Sequence, residues 1–158
     1  MATPPFILAL RELIGTHPLW LPCVTAVVVR GEKVLLIRRA DTGEWASVAG
    51  IIDPAEQPAH AAEREVLEEA GIVAKADRIA GLDVTDPVTY SNGDRSQYLN
   101  VVVRLDWVAG EPYPADGEAT HAVWAAVDDI EGAPFDLSIA SRRWITWALS
   151  DSERANFS

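Results

Sequence analysis

The stretch GIIDPAEQPAHAAEREVLEEAGI, Gly50 to Ile72, sets Glu56, Arg64, Glu65, Glu68 and Glu69 at fixed spacing between Gly50 and Gly71. Pro58 suits a first helical turn, where its missing N–H has no intrahelical partner. The alanines, glutamates, Arg64 and Leu67 that follow are mostly good helix formers. Gly71 is a good stop, because glycine takes the left-handed conformation after a helix. The spacing therefore predicts a helix over Pro58 to Ala70. At about 100° per residue, Glu65, Glu68 and Glu69 fall within roughly 60° of one another. Ala59, Ala62, Val66 and Ala70 form an apolar stripe on the opposite side, expected to pack on a sheet.

A solvated acidic face is the bland reading of such a helix. Like charges three and four residues apart are mildly destabilising, and the helix C-terminus disfavours anions. Three neighbouring carboxylates there gain little structurally. They make sense as oxygen ligands for Mg²⁺ or Mn²⁺, hard cations that use substrate phosphates as further ligands. Arg64 offers a fork of donors that could pin one of the carboxylates.

The segment resembles the Nudix box, G-x5-E-x7-R-E-U-x-E-E-x-G-U with U a bulky aliphatic, at Gly50, Glu56, Arg64, Glu65, Val66, Glu68, Glu69, Gly71 and Ile72. The resemblance implies an α/β fold, an α/β/α sandwich with a mixed β-sheet between helices. It implies one domain over 1–158, with 1–20 an N-terminal extension, 50–72 the box and 151–158 a tail. It also implies divalent-metal-dependent hydrolysis of a diphosphate linkage in a nucleoside diphosphate derivative of the nucleotide sugar or ADP-ribose type. Glu65 and Glu69 would be metal ligands and Glu68 a ligand or the base. Arg64 completes the box's catalytic set, and Glu56 supports Arg64 or a metal-bound water. The carbonyl before the box glycine, that of Ala49, would be a further metal ligand. Two departures bear on loop geometry: Val48-Ala49-Gly50 where Pro-Gly-Gly is frequent, and Asp53-Pro54-Ala55 where Glu-x-Gly is commoner. Some relatives recruit a catalytic glutamate from a later loop. Glu118 is the candidate here, with Glu111, Asp116 and Asp94 as rivals.

Two other activities fit the same box. One is a nucleoside triphosphate pyrophosphohydrolase that clears modified nucleotides. The other is a sensor that binds a nucleotide without turning it over. A sensor could lose its carboxylates, whereas this chain keeps Arg64, Glu65, Glu68 and Glu69, which weighs for catalysis.

For substrate contacts, Arg38 and Arg39 end a predicted strand and point to opposite faces. Either one reaches a phosphate through its fork or pairs with acidic neighbours on the surface. Arg95 has the same two readings. Tyr90 adjoins a turn and is the best stacking candidate, ahead of Tyr98, Trp20 and Trp45. His60 reads as a solvated side chain, and His17 and His121 lack metal-ligand spacing. Cys23 reads as a small buried residue.

Composition narrows the class. The chain has 158 residues, 49% of them apolar, enough for one domain with a full core. A net charge of −11 argues against a broad nucleic-acid surface but not against a small-molecule nucleotide whose phosphates a cation neutralises. The single cysteine excludes an internal disulfide and suits a reducing, cytoplasmic setting. No signal peptide is expected, and no run is long enough to span a bilayer. A homodimer could form through Leu19-Trp20-Leu21, which could equally cover the domain's own sheet.

Around the box, Pro5–Ile14 has helical spacing with Gly15 as a stop. Val24–Arg30 and Lys33–Arg39 read as strands joined at Gly31-Glu32. Val73–Asp86 reads as one or two strands, and Ser91–Asp94 as a turn. Gln97–Val108 and His121–Val127 read as further strands. Asp136 is the expected cap of a last helix, Leu137–Leu149. The tail after Ser150 is expected to fray.

Overall fold

The computed structural model describes residues 3–132 and 134–157; residues 1–2, 133 and 158 lie outside that description. The described chain runs α1 (Pro5–Ile14), β1 (Leu19–Arg30), β2 (Lys33–Arg39), β3 (Trp45–Ala46), β4 (Val48–Ile51) and α2 (Pro58–Ala70). It continues through β5 (Val73–Val84), β6 (Val88–Thr89), β7 (Arg95–Ala109), β8 (Ala119–Ala126), α3 (Ile139–Leu149) and β9 (Asn156–Phe157). The box helix has the predicted bounds.

The expected mixed α/β architecture is present. β1 pairs parallel with β7 from Leu19↔Ser96 to Val29↔Asp106. On its other edge β1 meets β2 only at the hairpin, Val29↔Val34 and Arg30↔Lys33, and then pairs with β4 over Cys23–Ala26. Gly31 opens that hairpin turn at φ +58°. This divergence leaves β2 free to pair with β8 and β3, while β5 runs antiparallel to β7.

Side-chain alternation along the strands builds two cores. Val24, Ala26, Val28, Leu35, Ile37, Val101, Val103 and Leu105 pack with Ala62, Val66 and Ala70 of α2. Val27, Val29, Val34, Leu36 and Val102 pack with Ile145 and Ala148 of α3. The sheet is thus covered on both faces, and α2 is seated over the β1–β4 junction that leads into the box loop. The C-terminal carbonyls of α3 accept from arginines. Arg78 donates to Trp147, Ala148 and Ser150, and Arg104 to Ala148, which also suits the negative end of the helix dipole.

Several expected boundaries move. β1 starts at Leu19, inside the stretch read as an extension, because its parallel pairing with β7 outweighs the interruption at Pro22. Leu21 is buried, while Trp20 faces outward on the same strand. Val73–Val84 is one strand whose register shifts three times against β7. The last helix is capped by Ser138, whose Oγ accepts from the Ser141 N–H at 3.0 Å, and not by Asp136. The tail does not simply fray: Asn156–Phe157 pair in parallel with Gly81–Leu82. Among the described residues no helix is long and apolar enough to cross a membrane.

Gly81 marks where this tail and α3 converge. A Cβ there would lie 2.4 Å from the Trp147 ring and 3.0 Å from the Asn156 carbonyl oxygen. Gly81→Ala is expected to lower unfolding free energy by about 1–3 kcal/mol through overpacking. Urea denaturation followed by tryptophan fluorescence checks this.

Candidate active site

The box helix packs differently from the expectation. Glu65 and Glu69 are buried, with Glu65 fully inaccessible, whereas Ala59 is exposed. The buried residues Ala61, Ala62, Glu65, Val66, Glu69 and Ala70 span an arc of roughly 180°, with the two glutamates near its middle. The acidic face and the packing face therefore overlap instead of opposing each other. Only Glu68 of the three lies on the open side.

Arg64 organises the carboxylates. Its Nε and Nη2 each donate to Glu56 at 2.8 Å, a two-point grip on one carboxylate. Its Nη1 donates to Glu65 Oε1 at 2.8 Å and to Glu68 Oε2 at 3.2 Å. Nη2 also reaches the Ile51 carbonyl at 3.3 Å. Glu56 Oε2 in turn accepts from the Asp53 N–H at 3.1 Å. One guanidinium thus ties the loop before the helix, through Glu56, to the helix's acidic residues. The Arg64 fork holds the Glu56 carboxyl below its usual range.

The loop needs this tie. Ala55 is the one described non-glycine residue with positive φ, at +67°. It stands where glycine is commoner in the resembled motif, and a left-handed alanine is strained by its Cβ.

The buried pair is electrostatically unsettled. Burial pushes the Glu65 carboxyl up to about 7, helped by the charge of Glu68 and opposed by Arg64. Burial pushes Glu69 up to about 8, reinforced by Glu65 and Asp116 and opposed by Arg39. Glu65 Oε2 is buried with no hydrogen-bond partner. An orphaned carboxylate oxygen beside a second buried carboxylate is the donor chemistry of a hard divalent cation. Among the described residues, no three acidic, histidine or cysteine side chains stand ready-grouped around one point. Arg64 accounts for this, because it holds Glu65 Oε1 and draws Glu68 toward itself.

The other expected residues separate by place. Ala49 is on β4, opposite Thr25 and exposed, immediately before the box. Arg39 pairs two-pointed with Asp41 and lies in the fields of Glu69 and Tyr90, so it faces the box side. Arg38 donates to the Gly43 carbonyl on the other side of the strand end. Tyr90 shares a 2.6 Å hydroxyl contact with Tyr98, and burial followed by that contact pushes its phenol upward. Arg95 donates to the Thr16 carbonyl and is engaged by the segment after α1.

Sequence reasoning ranked Asp116 below Glu118, yet Asp116 is the acid set in Glu69's field. The β7–β8 loop donates the Tyr113 N–H to Ala70 O and the Ala115 N–H to Glu69 O, satisfying two open carbonyls at the end of α2. That docking carries Asp116 to the cleft, whose lining is Pro4, Pro5, Ile51, Asp53, Arg64, Glu68 and Asp116. Glu118 is half-buried at the start of β8, where its carbonyl accepts from the Ala40 N–H. The proline pair around Tyr113 was the available signal, since it leaves alternate N–H groups to donate.

Residues 20–148 match the family model described as NUDIX domain. The chain belongs to the NUDIX family. It is 30% identical over 132 residues to the NAD-capped RNA hydrolase NudC of Pseudomonas syringae pv. syringae (strain B728a), covering 82% of this chain and 45% of that protein. It is 32% identical over 114 residues to a MutT-like protein of Streptomyces ambofaciens, covering 72% of this chain and 68% of the other. The chain thus spans less than half the length of the NudC relative. Among solved structures, a NUDIX hydrolase from Nitrosomonas europaea superposes with TM-score 0.64 at 26% identity, covering 80% of this chain and 86% of that one. The NUDIX box carries the buried pair and Asp53, and the β7–β8 loop carries Asp116.

Two outcomes follow. In chelator-containing buffer the folded protein keeps protons on Glu65 and Glu69 that the unfolded chain has lost. Their contribution to stability is therefore present below about pH 4.5 and is lost as pH rises toward about 8. Thermal midpoints measured across that window should fall with rising pH, and Glu69→Gln should flatten the slope. Ala55→Gly should raise stability by about 1 kcal/mol by relieving the left-handed alanine, as read by equilibrium urea unfolding.

Proposed function

We propose that this NUDIX protein hydrolyses a diphosphate linkage within a small nucleoside diphosphate derivative, using a divalent cation, Mg²⁺ or Mn²⁺. The supporting observation is the buried Glu65–Glu69 pair with its orphaned Glu65 oxygen. Glu65 and Glu69 would hold the cation, with Glu68 or the Ala49 carbonyl completing its protein ligands. When bound, such a cation neutralises phosphate charge and lowers the pKa of a bound water. Arg64 keeps Glu65 and Glu68 oriented and holds the box loop closed upon them. Glu68, open to the cleft, would accept the proton of the attacking water where it is not itself a ligand. With Nε and Nη2 held by Asp41, Arg39 would offer its Nη1 to a substrate phosphate on the box side. Tyr90 stands in the field of that arginine and presents a ring for stacking. Asp116, in the field of Glu69, would serve beside Glu118 as a candidate for the later-loop acid.

The NAD-capped RNA hydrolase relatives favour a substrate whose diphosphate joins two nucleoside-like groups. The MutT-like relative keeps triphosphate pyrophosphohydrolysis as the second reading. A nucleotide sensor is disfavoured because the full acidic set is present. A reducing, cytoplasmic setting suits free Cys23.

The deciding experiment measures phosphate-containing products from NAD, ADP-ribose, nucleotide sugars and nucleoside triphosphates with Mg²⁺ and with Mn²⁺. Metal-dependent cleavage of the diphosphate-bridged compounds is expected. Preference for triphosphates would establish the second reading, and binding without cleavage would establish the sensor. Glu69→Gln should cut turnover by a factor on the order of 10² or more while the circular dichroism spectrum is kept. Near-normal turnover in that variant would remove the cation assignment.

A further inference from the structure

The cleft over Arg64 and Glu68 has two unlike walls. Arg64, Glu68, Asp53 and Asp116 are charged, whereas Pro4 and Pro5, contributed by the start of α1, are not. These prolines present rigid rings and no N–H, so they offer a phosphate nothing to bind. Pro5 also begins the helix, where its fixed φ pre-organises the first turn.

α1 is held along one narrow stripe. Pro4, Ile7 and Arg11, spaced by three and four residues, are its inward side, and Pro4 and Ile7 are buried. Leu8 and Leu13 face outward. The main polar lock is Arg11. Its Nη1 donates to the carbonyls of Gly15 (3.0 Å) and His17 (2.7 Å). Its Nη2 donates to the Arg95 carbonyl (2.8 Å) and Ser96 Oγ (3.2 Å), and its Nε stands 3.4 Å from Asp94. Beyond the helix, Gly15 at φ +56° turns the chain back toward β1. One side chain thus fixes a wall of the cleft to the head of β7.

We infer that α1 is a specificity wall, selecting free small nucleotides over a diphosphate carried at the 5′ end of an RNA chain. The pocket measures about 370 Å³, within the range of small-molecule sites. A nucleotide chain continuing out of it past α1 would meet the rigid Pro4–Pro5 pair, a steric barrier, on a protein whose net charge is −11. This inference takes its ligand class from the proposed hydrolase function, but it concerns binding and can be read without turnover.

The test compares two non-hydrolysable probes with Mg²⁺ by calorimetry: α,β-methylene-ADP, and a twelve-nucleotide RNA bearing the same methylene diphosphate at its 5′ end. The wild type should bind the small probe at least about tenfold more tightly. Arg11→Met, which keeps the aliphatic stem but removes the lock, should shrink that ratio severalfold by tightening the RNA probe, with the small probe changed less than about twofold. Pro5→Ala trims the ring while keeping a good helix former on the helix that carries the lock, and should act in the same direction. It keeps the test valid if Arg11→Met fails to fold by circular dichroism. Equal wild-type affinities, no binding of either probe, or a ratio unchanged in the folded variants would overturn the inference. Discrimination in binding without any turnover of the substrate panel would overturn the hydrolase reading alone.

Discussion

Two carboxylates buried side by side on the inward face of a helix are a cost that the rest of this fold is arranged around. Glu65 and Glu69 occupy positions where a helix packed on a sheet would ordinarily place aliphatic side chains. Alanines at 61, 62 and 70 let α2 approach the sheet closely around them. One guanidinium offsets part of the charge, and the remainder appears as raised proton affinity. A charged group removed from water either pairs or takes up a proton, and this site does some of each. A cation arriving there would displace protons, so affinity for it should rise with pH.

Arg64 and the β7–β8 loop divide the work of shaping that site. Arg64 reaches backward to the loop before its helix, through Glu56 and the Ile51 carbonyl, and sideways to Glu65 and Glu68. The β7–β8 loop closes the other end by donating its backbone to the last carbonyls of α2. The same contacts that finish the helix therefore deliver a further carboxylate to the cleft. A change in the loop conformation would alter both helix capping and local charge.

Much of this was legible in the sequence. The spacing of Arg64, Glu65, Glu68 and Glu69 and the stops at Pro58 and Gly71 yielded the box helix with its bounds, and the resemblance they carried yielded the family. What periodicity misread was the burial of Glu65 and Glu69, because hydrophobic patterning assigns charged residues to solvent and cannot see carboxylates covered by a sheet. The start of β1 was missed because Pro22 looks like a strand breaker, and only the parallel partner β7 reveals the continuous ladder. Asp136 was read as the cap where Ser138 serves, because both residue types suit the position and local sequence does not fix where the helix begins. The docking of the β7–β8 loop on α2, which brings Asp116 into the field of Glu69, was not legible because it is a long-range event with little local pattern.

The pairing of Asn156–Phe157 with Gly81–Leu82 bears on how copies of this protein behave when crowded together. β5 is otherwise the outer strand of the sheet, and an outer strand is a template onto which another chain can add. The two-residue β9 occupies the part of that edge beside small Gly81. Register shifts at Ala76/Arg78 and Ile79/Gly81, with Lys75, Asp77 and Arg78 along the rest, break the flat repeat that a foreign strand would need. β9 thus acts as a stopper on the sheet, and displacing it would bare that part of the β5 margin.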